Sequence, residues 1–290
     1  MSESSILILV RRVSFMKIAT LMIPDPPLSR PEELVGQALR KVRDRGIGRV
    51  IVADEVVRGV VSTRDLISFF ITQCYSGCRE AEVSSLASTK ISNVMNRDPI
   101  TVSPDDELMD ALTIMVARNF GSLPVADKER RPRGLVTERE LLLAYKELPS
   151  TGPVWKFMSR RVNVVSDDEP LMDAAGRMVR RGFRRLPVLS NGKVIGMLTA
   201  ADVLRSLAES VINNSPKNIL TARVRDVMNR RVITVDPDID LRDAASILVQ
   251  KKIGSLLVVS SGELQGIITE RDMLLALHYQ MHLRTTGEKE

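Results

Sequence analysis

The chain has 290 residues, room for about two domains of ordinary size. With 44% hydrophobic residues it can bury a real core, which excludes a disordered chain; with 3% aromatics that core must be aliphatic. A formal charge of +6 favours polyanions such as nucleotides, nucleic acid or anionic lipid, but the basic residues are spread along the chain rather than gathered in one block.

No run approaches the ~20 apolar residues of a membrane span. Ser5 to Val10 is apolar, but it is too short for a signal peptide's apolar region, and Arg11 and Arg12 lie on its wrong side. A cytoplasmic location without membrane attachment is expected.

In chain order, the same heptapeptide returns four times. Gly59-Val-Val-Ser-Thr-Arg-Asp65 recurs as Gly134-Leu-Val-Thr-Glu-Arg-Glu140, Gly196-Met-Leu-Thr-Ala-Ala-Asp202 and Gly266-Ile-Ile-Thr-Glu-Arg-Asp272. The hydroxyl residues Ser62, Thr137, Thr199 and Thr269 are 75, 62 and 70 residues apart. About 40 residues before each stands a methionine: Met22, Met95, Met158 and Met228. An internal repeat of this kind fixes the architecture.

The first copy is the most degraded: Leu28-Ser-Arg-Pro31 stands where the second has Thr101-Val-Ser-Pro104. The second copy spells out the unit. Ile100-Thr-Val is a short strand ended by Ser103-Pro104. Asp105, Asp106 and Glu107 suit the positive end of a helix, and Leu108, Ala111, Leu112 and Met115 follow at helical spacing. Phe120–Val125 and Arg133–Val136 read as the second and third strands. Thr137 can cap the next helix, with Glu140 at the capping-box position. The unit is β-α-β-β-α, and copies three and four read alike. The expected copies are 12–75, 90–147, 153–208 and 223–280, with long linkers around 76–90 and 206–222.

A unit of about 55 residues is marginal alone, so units should pair. Leu148-Pro-Ser-Thr-Gly-Pro153 is rich in turn formers and places a boundary near Ser150, with copies 1 and 2 in one module and 3 and 4 in another.

Cys74 and Cys78 form no standard zinc or redox pair and read as ordinary thiols near a helix end. His278 and His282 are the only histidines, and two ligands do not make a metal site.

The heptapeptides, the methionine-led segments and the Leu-Pro-Val strands (Leu123–Val125, Leu186–Val188) resemble the CBS domain, named after cystathionine beta-synthase. The resemblance covers about Val13 to Leu277. It implies an α/β (α+β) fold of four units paired into two Bateman modules, disc-like and similar to the gamma subunit of AMP-activated protein kinase. Members of the family bind adenosine-containing ligands in clefts between paired sheets and regulate something else.

The residues agree with that chemistry. A carboxylate can accept hydrogen bonds from both ribose hydroxyls, which assigns Asp65, Glu140, Asp202 and Asp272 to ribose. Ser62, Thr137, Thr199 and Thr269, at helix N-termini, would lie near phosphate or ribose. A capping box alone explains any single copy well, and both roles can hold together. The strand threonines Thr101 and Thr234 belong to the same expected site; copy 3 has Val164 there. Before the Leu-Pro-Val strand stand Arg49 in copy 1 and Arg184 and Arg185 in copy 3, against Ser122 and Ser255 in copies 2 and 4. The resemblance gives these arginines the phosphates, for which a guanidinium fork is suited. Arg64, Arg139 and Arg271 are further candidates. The second module is expected to bind best, with some clefts empty.

No nucleophile elbow, P-loop, dinucleotide fingerprint or metal cluster is present, so neither catalysis nor a catalytic cofactor is expected. The reading is a stand-alone sensor of AMP, ADP or ATP that transmits occupancy to an unidentified protein, as a homodimer or through pairing within the chain. S-adenosylmethionine is the rival ligand. A nucleic-acid-binding protein, disfavoured by the scarcity of aromatics, and an oligomeric scaffold with vestigial clefts are the rival functions.

Overall fold

The computed structural model describes residues 9, 12–74, 80–213, 215 and 217–286. The apolar stretch Ser5–Val10 falls almost wholly outside them.

Each copy builds the expected unit. In copy 3 the strand Val165–Ser166 pairs in parallel with Arg185–Ser190, which pairs antiparallel with Lys193–Thr199. The helix Leu171–Arg181 connects the first two strands, and Ala200–Ile212 follows the third. Copy 4 repeats this with strands Thr234–Val235, Ser255–Ser260 and Glu263–Thr269 and helices Leu241–Lys251 and Glu270–Thr286. Copy 1 follows suit despite its degraded sequence, with Leu28–Ser29 beside Arg49–Ala53 and Val57–Ser62. In copy 2 the first strand shrinks to one parallel bridge, Val102 to Val125, beside the hairpin of Ser122–Ala126 and Pro132–Thr137. Its last helix is α only over Glu138–Leu141 and tightens to 3₁₀ over Leu142–Glu147.

The chain forms two compact units, and each takes alternate copies. One holds residues 1–25, 100–162 and 233–290, thus the bodies of copies 2 and 4. Its core is aliphatic, with Leu108, Leu112, Met115, Leu141, Leu241, Leu248, Leu274 and Leu277 all buried. The other holds 26–99 and 163–232, the bodies of copies 1 and 3. There the helix Val35–Arg45 packs on Ala200–Ile212, and Thr63–Cys74 packs on Leu171–Arg181. Leu39, Leu66, Ile67, Leu171 and Leu204 meet in that core.

The methionine-led segments correct the sequence reading. They do not join the sheets of the copies they precede. Met22 lies on Gly134 of copy 2, Met95 on Gly59 of copy 1, Met158 on Gly266 of copy 4 and Met228 on Gly196 of copy 3. The adjoining residues bridge to the same glycine strands: Ile23 to Leu135, Asn96 to Val60, Ser159 to Ile267 and Asn229 to Met197. A strand position without a side chain accepts a long, unbranched thioether.

The long linkers also hold structure. Glu80–Ala87 is helical with Val83 fully buried, and Lys217–Thr221 is helical with Ile219 fully buried. The Ala200–Ile212 helix runs through Ser206. Apolar contacts with the neighbouring helices decide what local composition left open.

The reading of Cys74 as an ordinary thiol is overturned: it is disulfide-bonded and buried at the end of its helix. The chain's other cysteine, Cys78, lies outside the described residues.

Candidate functional site

In every copy the third strand delivers a hydroxyl residue to the start of the last helix, and the acid three residues on turns back to it. The Ser62 N–H donates to Asp65 Oδ2 at 2.7 Å, and Ser62 Oγ accepts from the Asp65 N–H at 3.3 Å. The Thr137 N–H donates to Glu140 Oε2 at 3.0 Å, the Thr199 N–H to Asp202 Oδ2 at 3.0 Å and the Thr269 N–H to Asp272 Oδ2 at 2.8 Å. The threonine hydroxyls bond the same oxygens, at 2.5 Å in copy 3 and 2.7 Å in copy 4, and again between Thr137 and Glu140. The extra methylene of Glu140 therefore does not break the motif. The caps use one oxygen of each carboxylate. The other oxygen of Asp202, Oδ1, accepts from Arg205 at 3.1 Å, and Asp202 is buried.

Directly across the hairpin from each hydroxyl residue stands the position read as basic. Arg49 pairs in register with Ser62, Arg185 with Thr199, Ser122 with Thr137 and Ser255 with Thr269. Residues directly opposite in an antiparallel pair project from one face. Arg49 and Arg185 thus share a face with the cap of their own copy. The Arg49 guanidinium donates to the Gly48 carbonyl at 2.7 Å. Arg184 precedes Arg185, and its carbonyl accepts from the Ala200 N–H at 2.9 Å, tying it to the helix start.

Thr234 opens the first strand of copy 4, and Thr101 immediately precedes Val102, the single bridge residue of copy 2. Thr101 is half-buried and Thr234 exposed, and neither hydrogen-bonds to the cap of its own copy. In copies 1 and 3, Leu28 and Val164 occupy that place, and their carbonyls are held by side chains from the following helix. Lys41 donates to the Leu28 carbonyl at 2.6 Å and pairs with Glu33 at 2.5 Å. Arg177 donates to the Val164 carbonyl at 2.9 Å and pairs with Glu169. Burial raises the Glu33 carboxyl, but the Lys41 hydrogen bond, the Arg30 N–H and the Lys41 charge outweigh it and hold the group below its ordinary value. Sequence reasoning missed this pair; aligning the helices of the four copies would have found it.

The heptapeptide arginines have structural partners. Arg139 donates to Glu270 at 2.8 Å. Arg271 lies 3.8 Å from Glu138 and donates to the carbonyls of Met115 and Phe120 at 2.9 and 3.1 Å. Glu138 and Glu270 are both buried. The two pairs are reciprocal and join copies 2 and 4. In the other unit Arg64 donates to the Gly182 carbonyl at 2.5 Å, joining copies 1 and 3.

Among the described residues no group of three or more His, Cys, Asp or Glu could hold a metal, and no helix is long and apolar enough to cross a membrane. His278 is half-buried, and burial, then the nearby His282, lowers its pKa.

The CBS-domain profile matches residues 18–72, 91–147, 154–209 and 224–279. An uncharacterized protein of Methanocaldococcus jannaschii is 29% identical over 258 residues, covering 84% of this chain and 92% of that one. The crystal structure of that protein, proposed there as an archaeal homologue of the gamma subunit of AMP-activated protein kinase, superposes with a TM-score of 0.78 at 25% identity, over 90% of this chain and 99% of the other. An uncharacterized 33.4 kDa protein of Thermofilum pendens, from its ribosomal RNA operon, is 29% identical over 256 residues, covering 84% of this chain and 83% of its own length.

Proposed function

The chain belongs to the CBS-domain family, with four domains in one polypeptide, and on that premise we propose that it is a non-catalytic cytoplasmic sensor of adenine nucleotides. The observation that carries the reading is the fourfold recurrence of one turn. In each copy a hydroxyl residue caps a helix, an acid three residues on binds that cap, and the cross-strand neighbour is Arg or Ser. The acids Asp65, Glu140, Asp202 and Asp272 accept the ribose hydroxyls. Ser62, Thr137, Thr199 and Thr269, with the N–H groups behind them, lie near phosphate or ribose. Arg49, Arg184 and Arg185 neutralise phosphate charge. Thr101 and Thr234 flank the sugar or base.

The sensor acts by changing a partner protein's affinity, through a ligand that favours one arrangement of the chain over another. AMP, ADP and ATP are the ligands proposed. The similarity to a protein proposed as an archaeal homologue of the kinase gamma subunit supports that choice.

A thermal-shift screen with AMP, ADP, ATP, S-adenosylmethionine and inorganic phosphate tests it. A ligand at about 100 times its dissociation constant stabilises the fold by about 2.7 kcal/mol, a rise in Tm of several degrees at about 2–4 °C per kcal/mol. The rise is expected with the nucleotides and is expected to vanish when all four acids are replaced, in Asp65→Asn/Glu140→Gln/Asp202→Asn/Asp272→Asn. Silence with every adenosine compound, confirmed by calorimetry, would leave the scaffold or nucleic-acid reading ahead.

A further inference from the structure

Three places in the repeat divide the copies into two kinds, and the division follows the two units. Across from the cap hydroxyl stand Arg49 and Arg185 in copies 1 and 3, but Ser122 and Ser255 in copies 2 and 4. On the first helix, Lys41 and Arg177 align with Ile114 and Ile247. At the first position after the cap, Thr63 and Ala200 align with the buried acids Glu138 and Glu270. The charge balance agrees. The unit of copies 1 and 3 has 23 Lys and Arg against 16 Asp and Glu, net +7, while the unit of copies 2 and 4 has 19 against 20, net −1.

These differences act on one group, a phosphate at the cap. In copies 1 and 3 an arginine shares the cap's face, and the cap acid is the only carboxylate in the helix's first turn. In copies 2 and 4 no arginine stands across from the cap. Two acids, Glu138 with Glu140 or Glu270 with Asp272, already occupy the positive end of the helix. Arg139 and Arg271 are each engaged with the other copy's buried acid. An arriving phosphate there finds no arginine on the cap's face and a helix end whose positive partial charge is already shared by two carboxylates.

We infer that phosphate-bearing ligands are taken by copies 1 and 3 alone, and that copies 2 and 4 exclude them and accept at most an uncharged nucleoside. The inference rests on the adenosine-ligand reading above and assigns each kind of ligand to its own copies. The net charge of +6 is thus a property of one unit with one task.

Hydrogen exchange on the full chain tests the assignment, with ATP, inorganic tripolyphosphate and adenosine as probes. ATP and tripolyphosphate are expected to protect the first helical turns at 63–66 and 200–203, and not those at 138–141 and 270–273. Arg49→Ser/Arg185→Ser is expected to weaken ATP about tenfold or more, and adenosine much less. Arg40→Ser/Arg181→Ser removes the same charge from exposed helix positions and is expected to leave ATP affinity within about twofold. Protection by ATP at 138–141 or 270–273 as strong as at 63–66 and 200–203 overturns the inference while leaving the nucleotide reading intact. Absence of protection by every probe overturns the nucleotide reading itself. Wild-type exchange decides the matter even if the double variant does not fold.

Discussion

The Sδ of Met158 sits 2.7 Å from where a Cβ on Gly266 would stand, with the Ser159 carbonyl oxygen 2.9 Å from the same point. The relationship recurs in all four copies, and it explains why the heptapeptide begins with glycine. Its cause is contact with a segment distant in sequence rather than backbone conformation. Gly266→Ala is expected to cost about 1–3 kcal/mol by overpacking, read as a lower midpoint in urea unfolding. Adding Met158→Ala should recover only part of the loss, because the thioether can yield and the backbone carbonyl cannot. Full recovery would show that the methionine alone makes the site tight.

Arg139 and Glu270 form an unequal pair: the arginine side chain is 33% exposed and the glutamate 8%. Removing the arginine leaves a carboxylate buried without its partner, whereas removing the glutamate leaves a guanidinium that water can reach. Arg139→Met is therefore expected to cost about 3 kcal/mol, and Glu270→Gln about 1 kcal/mol. Equal losses in the two variants, by chemical denaturation, would mean that solvent reaches both members alike.

Tyr145 is fully buried in the same unit and donates from its hydroxyl to the Met273 carbonyl at 2.8 Å. Burial, and then the nearby Asp240 charge, pushes the phenol well above its ordinary value of 10.0. The protonated form is thus favoured in the folded chain. Its stabilising contribution is complete below the unfolded value and declines as pH rises through and beyond 10.0. Tyr145→Phe is expected to lose about 1 kcal/mol at neutral pH and to flatten the fall in Tm above pH 10.0. An alkaline slope equal to that of wild type would assign the transition to other groups.

Much of this was legible in the sequence, for a physical reason. The strands, helices and caps of one copy are set within about 40 residues, and hydrophobic period, Pro, Gly and the Thr-x-x-acid box all act at that range. Thr137 with Glu140 and Thr199 with Asp202 formed as their spacing predicts. What stayed hidden lies between copies. Nothing near Met95 says that Gly59 will receive it, and Glu138 meets Arg271 across 133 positions of sequence. The helices at 80–87 and 217–221 have weak local signals and are fixed by burying Val83 and Ile219. The alternation of Arg49 and Arg185 with Ser122 and Ser255 was visible as a list; its meaning required knowing which copies share a unit.

Asp240 holds the turn between copies 2 and 3 to the first helix of copy 4. Its carboxylate accepts from Ser150 Oγ at 2.6 Å, from Thr151 Oγ1 at 3.0 Å, and from the N–H groups of Thr151, Gly152 and Arg242 at 3.0, 3.2 and 2.9 Å. Burial opposes the charge, but these bonds outweigh it and keep the carboxyl below its ordinary value of 3.8. A depressed value means that the stabilisation is complete above 3.8 and fades as pH falls through the folded value. Asp240→Asn keeps the shape but loses the charge and one acceptor oxygen. It is expected to cost about 1–2 kcal/mol at pH 7 and less as the pH falls below 3.8. Thermal melts of wild type and variant from pH 7 downward should therefore converge. Curves that stay parallel through the acid range would show that the stabilisation does not depend on the ionised carboxylate.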